Sequence, residues 1–261
     1  MKKNIKMIVT DLDGTLLRED KTVSERTIAG FQRCRELGIK IVYATGRSGH
    51  SENLPGIFST NMFDGRIVNN GAIAEAEGMV VYDRQILFNI ARPFLVACEK
   101  EGLKVASQSK GMHYSNFPVS DVWPFIKNYE VVDFNTHDKD SEKIYCVQCD
   151  KDAEKFIREH LPEELYLTVA RDLLGQIMHK EATKSKALVV LAEYWGINKS
   201  EIVAFGDDLN DIDMLELAGT SVAMENALEE VKKAADEICP GNEEDGIAIW
   251  LEQWVLKEEN V

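Results

Sequence analysis

Short apolar runs rich in β-branched residues alternate along this chain with longer stretches in which apolar residues return every three or four positions. Ile5 to Val9 and Ile39 to Ala44 are of the first kind and predict strands buried on both faces. Between them Ile28, Phe31 and Leu37 fall on one helical face. Ser24 is suited to cap the start of that helix and Gly38 to end it. This β-α-β rhythm predicts a parallel sheet with helices on both faces. Ile67-Val68-Asn69 reads as a third short strand, and Met79 to Tyr82 with Gln85 to Phe88 as a hairpin.

From about Asp83 to Glu181 the pattern changes. Helical stretches (Ala91 to Glu101, Asp152 to His160) interleave with strand candidates (Lys104 to Ser107, Ile144 to Cys149, Tyr166 to Val169, Leu174 to Met178), which predicts an α+β domain with its own antiparallel sheet. After Thr183 the first rhythm resumes: a helix opened by Lys184, a strand from Ile202, a helix from Ile212 and a strand Ser221 to Met224. Asn226 and Glu229 are spaced as a capping box for the next helix, and a last helix carries Ile249, Trp250, Leu251 and Trp254. The expected fold class is therefore α/β, with a Rossmann-like parallel sheet core and helices on both faces, plus an inserted α+β domain. The core takes residues 1–82 and 182–261 and the insert 83–181. The insert is expected to supply a lid or an extra wall over the carboxyl ends of the core strands. Tyr114, Phe117, Trp123 and Phe125 are expected mostly to fill its own core.

At 261 residues the chain has room for two such domains, and its net charge of −15 argues against binding to nucleic acid through bulk charge. No apolar run approaches the ~20 residues of a spanning helix. Met1-Lys2-Lys3 resembles a signal n-region, but the apolar stretch behind it is short and ends at Asp11, so a cytoplasmic protein without a membrane partner is expected. The five cysteines form no framework. Cys146 and Cys149 make a C-x-x-C, but on a strand positions three apart face opposite sides, so neither a disulfide nor a shared metal is expected of them.

The chemistry gathers where strands end. Ile5 to Val9 runs into Thr10-Asp11-Leu12-Asp13-Gly14-Thr15, and ligands of open α/β sheets bind just past the carboxyl ends of the strands. Two carboxylates so close repel each other unless a cation or a proton lies between them. Thr15 offers a hydroxyl and an N–H to an anion. The second strand ends in Thr45-Gly46-Arg47, and Ile202 to Phe205 ends in Gly206-Asp207-Asp208-Leu209-Asn210-Asp211. Lys184 stands in the first turn of a helix, where unpaired N–H groups already favour anions.

In this order, DxDGT, T-G-R, a lone lysine and GDxxND resemble the motifs of the haloacid dehalogenase-like hydrolase superfamily. Asn70-Gly71-Ala72 and a large insert between the second and third motifs resemble its Cof-type phosphatases in particular. The resemblance implies a phosphoric monoester hydrolase with Asp11 as nucleophile and Asp13 as acid and base. Thr45 and Lys184 would cradle the phosphate. It implies Mg²⁺ as cofactor, held by the Asp11 and Asp207 side chains and the Asp13 carbonyl, with Asp211 supporting the cluster and Asp208 in solvent. Gly46, Arg47, Asn70 and Asn210 are candidates for contact with substrate; Asn210 would donate to the phosphate or hold Lys184 in place. The expected partner is a small phosphate ester such as a sugar phosphate, and the expected state a monomer or weak homo-oligomer. Two positions depart from the family's pattern: Ser185 stands where glycine usually follows the lysine, and Gln176 where an acid usually precedes it by eight residues. A phosphomutase using the same phospho-aspartate is one alternative. A receiver-like signalling module is another, although receivers lack an inserted domain.

Overall fold

The computed structural model describes residues 4–49, 62–169 and 173–257. Met1 to Lys3, weighed above as a signal n-region, lie outside the described residues. In chain order the elements are β1 (Met7–Thr10), α1 (Glu25–Glu36), β2 (Lys40–Ala44), β3 (Gly65–Val68), β4 (Ile73–Ala76), β5 (Met79–Asp83), α2 (Phe88–Lys100), β6 (Lys104–Ser109), β7 (Met112–Ser115), β8 (Tyr129–Val131) and β9 (Lys143–Val147). There follow α3 (Lys151–His160), β10 (Leu165–Val169), β11 (Gly175–His179), α4 (Lys184–Tyr194), β12 (Ile202–Gly206), α5 (Ile212–Leu217), β13 (Thr220–Met224), α6 (Glu229–Ala234), β14 (Glu237–Cys239) and α7 (Gly246–Trp254). The chain divides into two compact units. One holds the described residues up to Arg47, those from Met62 to Tyr82 and those from Thr183 on; the other holds essentially Asp83 to Ala182.

The first unit is built on an eight-stranded sheet in the order β14-β13-β12-β1-β2-β3-β4-β5. The six strands from β14 to β3 run parallel and β4 turns back antiparallel to β3. Every residue of β1, β12 and β13 is buried, as strands covered on both faces must be. Helices α1 and α7 pack on each other, and α4 and α6 pack on α5. Ser24 caps α1 by accepting from the N–H of Thr27, and Gly38 follows it at φ +80°.

The second unit holds a six-stranded sheet, β10-β11-β9-β6-β7-β8, in which only β7 and β8 pair in parallel. Its α2 and α3 pack together over one sheet face, on a core that includes Phe94, Leu95, Ile144 and Ile177. Phe117 is buried in a smaller cluster with Trp123 packed against it, whereas Phe125 is exposed.

Several local expectations are corrected. Met79 to Tyr82 pairs with β4, not with Gln85 to Phe88, and Phe88 opens α2. Leu37 caps the end of α1 and is exposed. Asn226 does not cap α6, whose cap residue is Leu228; its amide donates to the Gly14 carbonyl at 2.7 Å, and its oxygen accepts from the N–H of Asn242 at 3.1 Å. The C-x-x-C reading also fails geometrically. Strand β9 ends at Val147, Gln148 turns at φ +54°, and Cys149 swings back so that its thiol meets that of Cys146. Both are free and buried, and burial pushes the Cys146 thiol up to about 12, far from thiolate chemistry at neutral pH.

One close approach ties the sheet to the last third of the chain. Gly71, at φ +98°, lies against the Thr183 carbonyl and the Lys184 N–H where α4 begins, and a Cβ there would collide with that backbone. Gly71→Ala therefore faces both a left-handed conformation and a backbone clash. It is expected to cost about 2–4 kcal/mol and to lower the thermal midpoint by several degrees, measured by calorimetry. A midpoint unchanged from wild type would contradict this packing.

Candidate active site

Parallel register brings the strand ends level. Thr10 of β1 is paired with Phe205 of β12 on one side and with Tyr43 of β2 on the other. The residues just past these strands, Asp11, Asp207 and Thr45, therefore emerge at one edge of the sheet. Adjacent strands lie ~4.8 Å apart, close enough for carboxylates on neighbouring ends to share a site. Asp11, Asp207 and Asp211 do so: each offers an oxygen, and these oxygens lie within 4.8 Å of one another. Gly14 makes the turn after Asp11 at φ +84°, and a side chain there would run into the Asp207 carboxylate.

Lys184 enters this cluster from α4. Its side chain is wholly buried, and its ammonium donates to Asp11 Oδ1 at 2.6 Å and Asp211 Oδ1 at 2.5 Å. Asp211 uses its other oxygen to accept from the backbone N–H groups of Asp207 and Asp208, at 3.0 and 3.1 Å, which folds the loop after β12 around it. Thr15 donates to Asp207 Oδ1 at 2.5 Å. Burial raises the Asp11 carboxyl well above the usual range; Lys184 opposes the rise, while Asp211 and Asp207 add to it. Burial likewise pushes Asp207 up to about 6, with Asp211 and Asp208 contributing. Burial alone would lower the Lys184 ammonium, but Asp11 and Asp211 outweigh it and hold the charge. Three carboxylates thus lie together beside one buried ammonium, which pairs with two of them. The excess of negative charge, on hard oxygen donors, fits a divalent cation of the Mg²⁺ type.

Asp13 takes different partners. Arg47 grips it with both arms, Nε to Oδ2 at 2.6 Å and Nη2 to Oδ1 at 2.5 Å, and Lys21 Nζ donates to Oδ1 at 2.9 Å. Partial burial would raise this carboxyl, but the bonds from Arg47 and Lys21 hold it below the usual range. Thr45 is buried, and its hydroxyl accepts from the Arg47 N–H at 3.1 Å. Asn70, at φ +53°, accepts from the amide of Asn210 at 3.0 Å and lies beside Gly46. Asn210 is thus held by Asn70, while Lys184 is held by the two aspartates. Asp208 is exposed and accepts from the N–H of Leu209.

Sequence reading misses three of these residues. Lys21 sits on a surface turn at φ +66° with no pattern around it. Asn226 reads as a helix cap. Asp213, which accepts from Ser185, is hidden among the acids after Asp211; the one signal pointing its way is the serine standing in the glycine's place.

Comparison with known proteins agrees with this geometry. A sequence model of the haloacid dehalogenase-like hydrolases matches residues 8–251. The Bacillus subtilis protein YitU, a 5-amino-6-(5-phospho-D-ribitylamino)uracil phosphatase, is 27% identical over 263 residues, covering 95% of this chain and 97% of its own. The phosphatase BT1666 of Bacteroides thetaiotaomicron superposes with a TM-score of 0.82 at 28% identity, over 95% of this chain and 94% of that one. The subclass IIB sugar phosphatase BT4131 does so with a TM-score of 0.80 at 27% identity, over 95% and 98%. With the ordered motifs converging on one edge of the sheet, the chain belongs to the haloacid dehalogenase-like hydrolases, as a phosphatase of the Cof type.

Proposed function

We propose that this phosphatase hydrolyses small polyhydroxylated phosphate monoesters through a phospho-Asp11 intermediate, with Mg²⁺ as cofactor. The observation that carries the reading is the cluster of Asp11, Asp207 and Asp211, in which the one ammonium of Lys184 pairs with Asp11 and Asp211 and leaves Asp207 to Thr15. An Asp11 oxygen attacks phosphorus and the bond from phosphorus to the ester oxygen breaks. Asp13, once it has parted from Arg47 and Lys21 and taken up a proton, gives that proton to the departing alkoxide. Asp13 then takes a proton from water as that water attacks the phosphorus of phospho-Asp11, releasing inorganic phosphate and restoring the carboxylate. Of the three N–H bonds of Lys184, two are committed to aspartates, and the third is assigned to a phosphoryl oxygen, together with the Thr45 hydroxyl. Mg²⁺ would be held by Asp11, Asp207 and the Asp13 carbonyl, with Asp211 behind them, and would neutralise the charge of carboxylates and phosphate together.

Gly46, Arg47, Asn70 and Asn210 are assigned to substrate contact at the same edge. The second unit owns none of the reacting groups, and we assign it, as a cap domain, the choice among esters. The substrate class is supported by the relatives: YitU is named for a ribityl phosphate and BT4131 for a sugar phosphate, both polyhydroxylated monoesters. Assaying a panel of sugar, polyol and nucleotide monophosphates with Mg²⁺ tests it, and a preference for nucleotides would point to another class.

Asp11→Asn removes the nucleophile and a ligand charge, and kcat should fall by at least ~10³ with the fold intact. Retention of more than about a tenth of the wild-type rate would rule out the covalent route. Asp13→Ala should lower kcat by roughly 10²–10⁴ for sugar phosphates and much less for p-nitrophenyl phosphate, whose leaving group needs little protonation. Equal losses on the two substrates would remove the acid role from Asp13.

The cluster also predicts how metal and pH trade places. The Asp207 carboxyl stands at about 6 in the folded protein against an ordinary 3.8. Protonation of this group therefore stabilises the metal-free fold fully below its ordinary value, and that contribution is lost as pH rises through about 6. Bound at these carboxylates, Mg²⁺ would stand in for that proton. Millimolar Mg²⁺ should raise the thermal midpoint clearly at about pH 8 and little at about pH 5, and Asp207→Asn should flatten the difference. An equal gain at both pH values would mean that the ion binds elsewhere.

A further inference from the structure

Lys184 is held at two places, and only one of them is its ammonium. Asp213, two residues beyond Asp211, accepts from the backbone N–H of Ser185 at 3.1 Å and from the Ser185 hydroxyl at 2.6 Å, both through Oδ2. The Ser185 hydroxyl also shares a hydrogen with Thr183 Oγ1 at 3.0 Å, and Thr183 caps α4 by accepting from the N–H of Lys186. One short stretch of chain at the start of α5 thus grips both ends of the same residue. Asp211 takes the ammonium of Lys184, and Asp213 takes the backbone immediately after it.

The physical consequence concerns placement. A lysine stem has four methylenes, and two bonds at its tip do not fix the backbone from which it hangs. With the first turn of α4 free to slide, the same ammonium could keep its bonds while the helix N-terminus and the third N–H pointed elsewhere. A carboxylate on the first-turn N–H groups satisfies otherwise unpaired donors and favours the helix dipole. The serine hydroxyl adds a bond that glycine, usual after the lysine in this family, could not make.

We infer that Asp213 and Ser185 form a clasp that positions Lys184 for phosphoryl transfer, with Asp213 as a positioning residue and Ser185 as the adaptation that completes the clasp in this chain. The inference rests on the proposed role of Lys184 in the phosphate site. Neither clasp residue touches substrate. Their removal should therefore lower kcat, through a misplaced donor, more than it changes KM.

The test uses the full chain with Mg²⁺ and p-nitrophenyl phosphate, and measures kcat, KM and the thermal midpoint. Asp213→Ala should lower kcat about tenfold and Ser185→Ala about threefold, with KM within about twofold of wild type. Asp213→Asn keeps the accepting oxygen and loses the charge; Ser185→Thr keeps the hydroxyl. Asp213→Asn should stay within about threefold of the wild-type rate and Ser185→Thr within about 1.5-fold, which a general loss of stability or of negative charge would not produce. Adding Ser185→Ala to Asp213→Ala should cost nothing further, since the hydroxyl has then lost its acceptor. A folded Asp213→Ala protein with unchanged kcat overturns the clasp, as does an Asp213→Asn protein as slow as Asp213→Ala. If Asp213→Ala does not fold, Ser185→Ala decides alone: an unchanged rate there overturns it. Lys184→Ala is measured alongside. A full wild-type rate in that variant would sink the phosphate-site reading itself, and the clasp with it. A large loss there with silent clasp variants would sink only the clasp.

Discussion

The active edge of this protein depends on one buried ammonium. Taking an ion out of water costs several kcal/mol even after the protein relaxes, and the Lys184 side chain is wholly buried. It is tolerated because two carboxylates meet it at 2.5 and 2.6 Å. They in turn are tolerated so close to each other because it stands between them. The partners come from distant parts of the sequence: Asp11 follows the first strand, Asp211 belongs to the loop after β12, and Lys184 opens α4. Each piece of local structure around them reads as a condition for that meeting. The level register of β1 and β12 brings the two acidic loops side by side. Gly71 lets the start of α4 press against the sheet's edge. The second oxygen of Asp211 gathers the backbone of its own loop.

This arrangement also explains why the site suits a metal without being collapsed by its own charge. With Lys184 protonated, two carboxylates share one ammonium and the third, Asp207, leans on a threonine hydroxyl. Burial has already raised its affinity for a proton. A carboxylate that readily takes a proton in a buried oxygen-rich cluster has the same reason to take a divalent cation.

Much of the core was legible because its signals are strong and local. Buried parallel strands leave continuous apolar runs, and a charged pair at the end of such a run has few other places to be. Ser24 and Gly38 mark the ends of α1 through backbone requirements that few residues satisfy. The misses share a cause as well. Strands β7, β8 and β14 are only three or four residues long, so Met112 to Ser115 or Glu237 to Cys239 carries no periodicity to find. Gln85 to Phe88 looks like a returning strand only until β4 supplies the real partner for β5. The C-x-x-C failed on a single residue, since Gln148 in a left-handed turn reverses the facing that strand geometry assigns to Cys149. Within the site, sequence named the acids but not their partnerships. Nothing local announces that Lys21 will reach Asp13, or that Asn226 will hold the Gly14 carbonyl.

The division of labour proposed for Asp11 and Asp13 shows what partnership adds to sequence. The two residues are chemically identical and separated by one residue, so a sequence assigns their roles only through resemblance. The structure gives them opposite surroundings. Asp11 is buried with other carboxylates and a single ammonium, where its proton affinity rises and its position is fixed. Asp13 stands nearer solvent between Arg47 and Lys21, which keep it ionised. A nucleophile gains from fixed placement and from losing its water. A group that must both give and take a proton gains from access to solvent and from partners that can let go. In the metal-free fold these surroundings pull the two carboxyls in opposite directions. The separation begins where the chain leaves β1 and turns at Leu12, so that Asp11 stays on the sheet's edge while Asp13 reaches Arg47 and Lys21.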